Sequence, residues 1–287
     1  MKRTFPTCFL LLILAGISMI PVCAQQADEE TTSRGAFLIT RAKPGAPVTK
    51  EKPPLSAKHK PAGNSAAAGK TPTRPAAASN SIGIGYTLYQ RDADDHPVRV
   101  NPAQVFHSGD AVRLMLEPNI DGFLYIFQTE NGQHPTMIFP DRRLQKGDNR
   151  IQAHVPYEIP SRTEPDPRFR WFSFTGEAAT ESIYLVVTRE PLPGIPTSNR
   201  LVDYCAANAG ACPWRPSSEI WATLVSNAGA TRISRSNSTG QTQTAVEAES
   251  VSRSIGLPPE APEPSIVTLS ASANARKLVM KVDLVHQ

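Results

Sequence analysis

Six histidines, four cysteines and a scatter of aspartates and asparagines are the residues of this 287-residue chain that could do chemistry. Their spacing narrows what that chemistry is. His59, His96, His107, His134, His154 and His286 stand apart: none belongs to an H-E-x-x-H pair, and none lies within ligand spacing of a Cys. His107 and His134 fall at turn positions and His154 on the polar face of an alternating stretch, so all three are expected to be solvated. No G-x-S-x-G occurs, which removes the serine elbow of a hydrolase. Cys8 and Cys23 belong to an N-terminal leader. That leaves Cys205 and Cys212, whose pairing would remove the remaining thiol nucleophile.

Oxygen ligands offer a second chemistry. Asp110, Asn119, Asp121, Asp141, Asp148 and Asn149 all fall in loops, where Ca²⁺ ligands would lie. Their spacing matches no calcium loop, and Asp and Asn in such loops commonly bond their own backbone. Asp92, Asp94 and Asp95 make a charged turn tip, expected to be solvated. Aromatic platforms are a third. Phe123, Tyr125, Phe127, Trp171, Phe172 and Phe174 sit on strands and are expected to fill a core. Trp214 and Trp221 lie beyond those strands and are the better candidates for an exposed ligand platform. Two glycine patterns are discarded. Gly63 and Gly69-Lys70-Thr71 are one residue too widely spaced for a phosphate loop and run into Pro72; Gly83 and Gly85 have no third glycine and open no helix.

The elements that must position these residues are short strands. Ile82–Tyr89 reads as a strand, and Val112, Leu114 and Leu116 alternate with Arg113, Met115 and Glu117 as a half-buried one. Phe123–Phe127 is apolar on both faces and therefore central. Asn131-Gly132 is a strong hairpin signal joining it to 136–139. Ile151, Ala153, Val155, Tyr157 and Ile159 alternate along another strand, which Pro156 confines to an edge or bulge. Trp171–Phe174 and Ile183–Val187 follow. Strands recurring every 8–12 residues with Gly/Asn/Asp turns predict an all-β domain: an antiparallel sandwich, Ig-like or a partly open barrel.

Around that domain the composition changes. Lys2 and Arg3 precede the apolar run 8–20, and Val22-Cys23-Ala24 supplies small residues before a cut after Ala24. The run is too short to span a bilayer, so 1–24 reads as a secretory signal. The alternative is a lipoprotein anchored at Cys23. Residues 25–81 hold nine Lys/Arg against four Asp/Glu and read as a disordered Pro/Ala/Lys tether with one aromatic, Phe37. The remainder, 82–287, is mildly acidic, so the chain's formal charge of +4 belongs to the tether and argues against nucleic acid as a partner. The expected units are a sandwich over 82–197, a helical, disulfide-bonded extension over 198–230, a low-complexity linker over 231–264 and C-terminal strands over 265–287. In the last, Leu278, Met280, Val282 and Leu284 form one apolar face.

The runs Phe106-His-Ser-Gly-Asp-Ala-Val-Arg-Leu114, Asn119–Phe127, Ile138-Phe-Pro140, Gly147-Asp-Asn149, Tyr157–Pro160, Trp171-Phe172 and Tyr184–Pro191 resemble, in order and spacing, the bacterial family called domain of unknown function 4384. The resemblance covers about 82–197. It implies an exported or envelope-associated β domain and brings no catalytic residues. The expected function is a non-catalytic binding or adaptor module of the cell envelope, periplasmic or extracellular. It would need no cofactor, and its partner would be another envelope protein or a cell-wall polymer. Two other classes stay open: a Ca²⁺- or glycan-binding module using the Asp/Asn loops, and an envelope hydrolase, which would need a cleft joining one His to two carboxylates.

Overall fold

The computed structural model describes residues 33–41, 81–143, 145–226 and 230–287. The expected signal sequence, and the tether apart from 33–41, lie outside them. Among the described residues thirteen strands form two open sheets packed face to face. The fold is a β-sandwich, not a closed barrel.

The first sheet runs β11 (Thr231–Arg235), β12 (Ile266–Ser270), β1 (Gly83–Arg91), β4 (Ala111–Pro118) and β8 (Tyr157–Ile159), with β2 (Pro97–Arg99) on β1 and β9 (Phe172–Ser173) on β4. The second runs β3 (Val105–Phe106), β13 (Lys277–His286), β10 (Ala179–Thr188), β5 (Gly122–Glu130) and β6 (Gln133–Phe139), with β7 (Arg150–Ile151) on β5. All pairings are antiparallel except β3 with β13, so the second sheet is mixed rather than purely antiparallel. Between the sheets, alternation decides which side chains meet. Ile84, Leu88, Leu114 and Leu116 from one face Leu124, Ile126, Leu185 and Val187 from the other, and Leu278, Met280, Val282 and Leu284 of β13 join them. Asn131 and Gly132 take positive φ, 48° and 72°, as the two-residue hairpin between β5 and β6 requires.

Both outer faces are covered as well. Helices α2 (Asn199–Ala207) and α3 (Ser218–Ser226) lie on the second sheet, closing Tyr125, Phe127 and Val186 under Leu201, Trp214 and Leu224. Over the first sheet lie a short helical stretch, 33–38 (α1), and the chain 236–264 with α4 (Ala245–Arg253). This overturns two expectations. Residues 33–41 do not belong to an unstructured tether: Phe37 is fully buried against Val267 and Leu269. Residues 231–264 are not a loose linker: they contribute β11 and α4, and a Thr244/Glu247 capping box starts the helix.

The physical reason is charge pairing. The outward residues of β1, β2 and β4 are Tyr89, Arg99, Arg113 and Glu117, all buried. Arg99 Nη2 meets Glu247 of α4 at 2.6 Å, and the Tyr89 hydroxyl donates to the same carboxylate at 2.9 Å. Arg41 is paired with Glu117 at 2.6 and 2.8 Å. Polar residues from distant segments thus satisfy one another, so a segment of low apolar content orders without a hydrophobic core of its own.

The strand expected over 151–159 is broken into β7 and β8. His154 adopts φ 58° between them, which turns its ring inward; it is 4% exposed, against the expectation of a solvated side chain. Its Nδ1 lies 2.8 Å from Glu117 and its Nε2 2.6 Å from the Thr40 hydroxyl.

Candidate binding cleft

Where β6 and β8 end, the loop 161–172 and the α2 extension enclose a cleft of about 400 Å³. Two sequence features build it. The disulfide Cys205–Cys212, with Cα atoms 5.4 Å apart, ties the end of α2 to the chain entering Trp214. The Trp214 carbonyl then accepts from Met137 N of β6 at 2.9 Å, which seats Pro213 and Trp214 against the second sheet. Facing them, the 161–172 loop presents Phe169, Trp171 and Phe172. An Asx turn shapes this loop: Asp166 accepts from Arg168 N at 3.0 Å.

Trp171 is held from behind. The Arg113 guanidinium stacks 4.0 Å from its ring centre while Nε and Nη2 donate to the Arg170 carbonyl at 2.9 and 2.7 Å. Burial pushes Arg113 down to about 10, so it remains a cation at neutral pH. The rim is charged. Asp141 accepts from Arg143 N and binds its Nε at 2.9 Å, and this bond holds the Arg143 guanidinium above its ordinary value. Arg143 also lies 5.0 Å from the Phe169 ring, which stands 47% exposed at the mouth. Arg142 stands exposed at the rim, whereas Glu164 lies buried in the lining. Among the described residues no histidine and no free thiol line this cleft.

Of the residues singled out from the sequence, Asp141, Trp171, Phe172, Trp214, Cys205 and Cys212 meet here. The others do not. Trp214 is no exposed platform, being 8% exposed with its ring among cleft-lining apolar residues; Trp221 packs edge-on against Phe127 and Tyr184. The loop acids and amides are occupied, some within their own turns and others across to neighbouring segments. Asp110 accepts from His107 N, and Asp121 from Ala153 N. Asn119 accepts from Gly83 N and donates to Ser81 O, while Asn149 donates to Leu124 O. Asp148 is engaged by Arg150, whose hydrogen bonds hold its carboxyl below the usual range. His286, at the end of β13, is buried. The acidic turn at Asp92 does bring Asp94 and His96 close, but the three side chains are exposed and Asp92 already accepts from the amides of Asp94 and His96.

Sequence reasoning missed Phe169, Arg142 and Arg143. The signal available was the density of Arg and aromatic residues over 168–172, with the paired Arg142-Arg143 just past β6.

Residues 105–191 match the family described as Domain of unknown function (DUF4384). The chain carries a DUF4384 domain. The match spans β3 to β10 and supplies one wall of the cleft; β1, β12 and β13, which complete the sandwich, and the disulfide-bonded wall lie outside it. No curated protein and no solved structure matches the chain.

Proposed function

We propose that this DUF4384 protein is an exported, non-catalytic binding or adaptor module of the cell envelope. Its cleft takes an extended segment of another envelope protein. The observation that carries this is the lining: Phe169, Trp171 and Trp214 converge with Phe139 and Met137 on an open slot whose rim offers both signs of charge. Aromatic anchors with a polar rim are what peptide-binding surfaces concentrate. Among the described lining residues there is no histidine, the two cysteines are paired, Asp141 is engaged by Arg143 and the Ser161 hydroxyl bonds that of Thr163. Export is supported by the signal-like N-terminus and by the disulfide, which persists in oxidising compartments. No helix of the described residues is long and apolar enough to cross a membrane. The Asp/Asn loops favour no calcium-dependent reading, since those side chains are spent on backbone amides and carbonyls and on neighbouring arginines.

Affinity capture from envelope extract tests the proposal, comparing the mature chain with Phe169→Ser and Arg142→Glu. Both positions are exposed, so neither change threatens folding. A partner retained by the wild type and lost by both variants, with or without a calcium chelator, is the expected result. Capture that is indifferent to both substitutions, or that collapses on chelation alone, overturns it.

A further inference from the structure

A second cavity, of about 260 Å³, opens between the two sheets. Its floor is apolar: Val112 of β4, Phe174, Ile183 of β10 and Leu284 of β13. Into it faces His286, 3% exposed, with neither ring nitrogen hydrogen-bonded. Its ring is tilted against Phe174 at 5.4 Å. Whatever its tautomer, an imidazole carries at least one N–H, so a donor is buried here without an acceptor. An orphan of this kind is costly and calls for a missing partner.

At the mouth stand two carboxylates. Glu181 of β10 and Glu130 of β5 are direct cross-strand partners, and both line the cavity. Like charges placed opposite each other repel. Glu181 is bonded only by the Gln128 amide, at 2.7 Å, and neither acid has an ion-pair partner among the described residues. The site therefore has excess negative charge at its entrance, an apolar throat, and an unpartnered imidazole inside.

We infer that this cavity is a binding site for an alkylammonium or guanidinium group on an aliphatic stem, the chemistry of a basic side chain. The cation lies between Glu130 and Glu181, the stem covers Ile183, Leu284 and Phe174, and an acceptor at the ligand's far end, such as an amide oxygen, takes the His286 N–H. A single metal ion is the poorer occupant: His286, Glu130 and Glu181 do not form a cluster whose ligand atoms lie within 4.8 Å of one another, whereas Asp92, Asp94 and His96 do. Nor does the arrangement make a hydrolase. His286 bonds neither carboxylate, so nothing orients it as a base, and no activated nucleophile adjoins it. The site is separate from the aromatic cleft and shares with it only Phe172.

NMR titration of the mature protein with Nα-acetyl-lysine amide and Nα-acetyl-arginine amide tests this, with Nα-acetyl-norleucine amide as the uncharged control and Zn²⁺ as a separate arm. Saturable shifts of the His286 and Phe174 ring signals with the cations, absent with norleucine, are expected. Glu181→Gln and Glu130→Gln should each weaken binding roughly tenfold or more, as losing a charged hydrogen-bond partner does. His286→Phe should weaken it too while melting no lower than the wild type, because the substitution removes the orphaned nitrogens. Shifts equal for lysine and norleucine, binding indifferent to both Gln variants, or a response to Zn²⁺ alone would each overturn the inference. Should His286→Phe fail to fold, the two Gln variants decide it.

Discussion

Replacing Arg41 with methionine should detach residues 33–41 from the sandwich while leaving the sandwich folded. Arg41 and Glu117 side chains are each 1% exposed, and the pair is bidentate. Arg41 also donates to the Ala261 carbonyl at 2.9 Å. Methionine keeps the apolar stem but leaves Glu117 buried with the His154 ring as its remaining side-chain partner. Breaking one side of a buried pair costs about 3–5 kcal/mol. That cost is capped here, because Glu117 regains water once the segment lifts away. The loss therefore appears as local opening, multiplying the undocked population by roughly a hundred- to several-thousand-fold. Hydrogen exchange reads this directly. The Ile39 and Arg41 amides, bonded to Gly35 O and Leu38 O, should lose their protection, whereas β1 and β4 amides keep theirs. Adding Glu117→Gln should cost less than the sum of the two single changes, since no stranded carboxylate remains. Unchanged exchange at Ile39 and Arg41 in Arg41→Met would refute the reasoning. So would a uniform loss of protection across β1 and β4, which would mean that the segment and sheet open together.

The same clasp should be acid-labile. Burial alone would raise the Glu117 pKa, but hydrogen bonds from Arg41 and His154 outweigh it and hold it below the usual range. A depressed folded-state pKa contributes stability above the unfolded value that is lost as pH falls through the folded one, so the protection of the Ile39 and Arg41 amides, relative to their intrinsic exchange rates, should fall below about pH 4. Gly122→Ala should destabilise by about 1–3 kcal/mol, measured by urea melting, because the new Cβ would lie 2.2 Å from the Thr188 carbonyl oxygen on the paired strand. Cys205→Ala/Cys212→Ala should cost at most about 2.5 kcal/mol of stability for so short a loop, yet weaken ligand capture, since the bond seats Trp214. A chain ending at Pro264 should show no cooperative melt. It loses ten paired residues on β10 and four core side chains at about 1.5–3 kcal/mol each, comparable with a domain's whole stability.

The sandwich was legible because its inner faces obey local rules. The alternation at Val112, Leu114 and Leu116, the Asn131-Gly132 turn and the apolar face from Leu278 to Leu284 all point inward as their spacing requires. What was illegible was long-range polar pairing. Arg113 and Glu117 look like the solvent side of a strand until Arg41, Glu158 and the C-terminal chain are laid over them. The partners Arg99 and Glu247 lie 148 residues apart. Composition counts apolar content, so 231–264 reads as loose although its Ser238 and Glu247 serve the buried Arg99. Phe37 was the visible clue, a lone aromatic in a basic tether. In the cleft, Asp141 and Trp214 were marked from the sequence, but for a calcium loop and an exposed platform. Their meeting depends on the disulfide and on Met137 bonding Trp214, which no local pattern encodes.

The central claim, that the aromatic cleft is where a partner binds, is tested most directly by a photo-crosslinking residue placed at Phe169 in cells. The same residue at Ile233, 43% exposed on β11 and outside the cleft, serves as control. The account predicts a discrete adduct from position 169, absent from position 233 and abolished when Arg142→Glu is added. Adducts of equal yield at both positions, or one at 169 that survives Arg142→Glu unchanged, would contradict it.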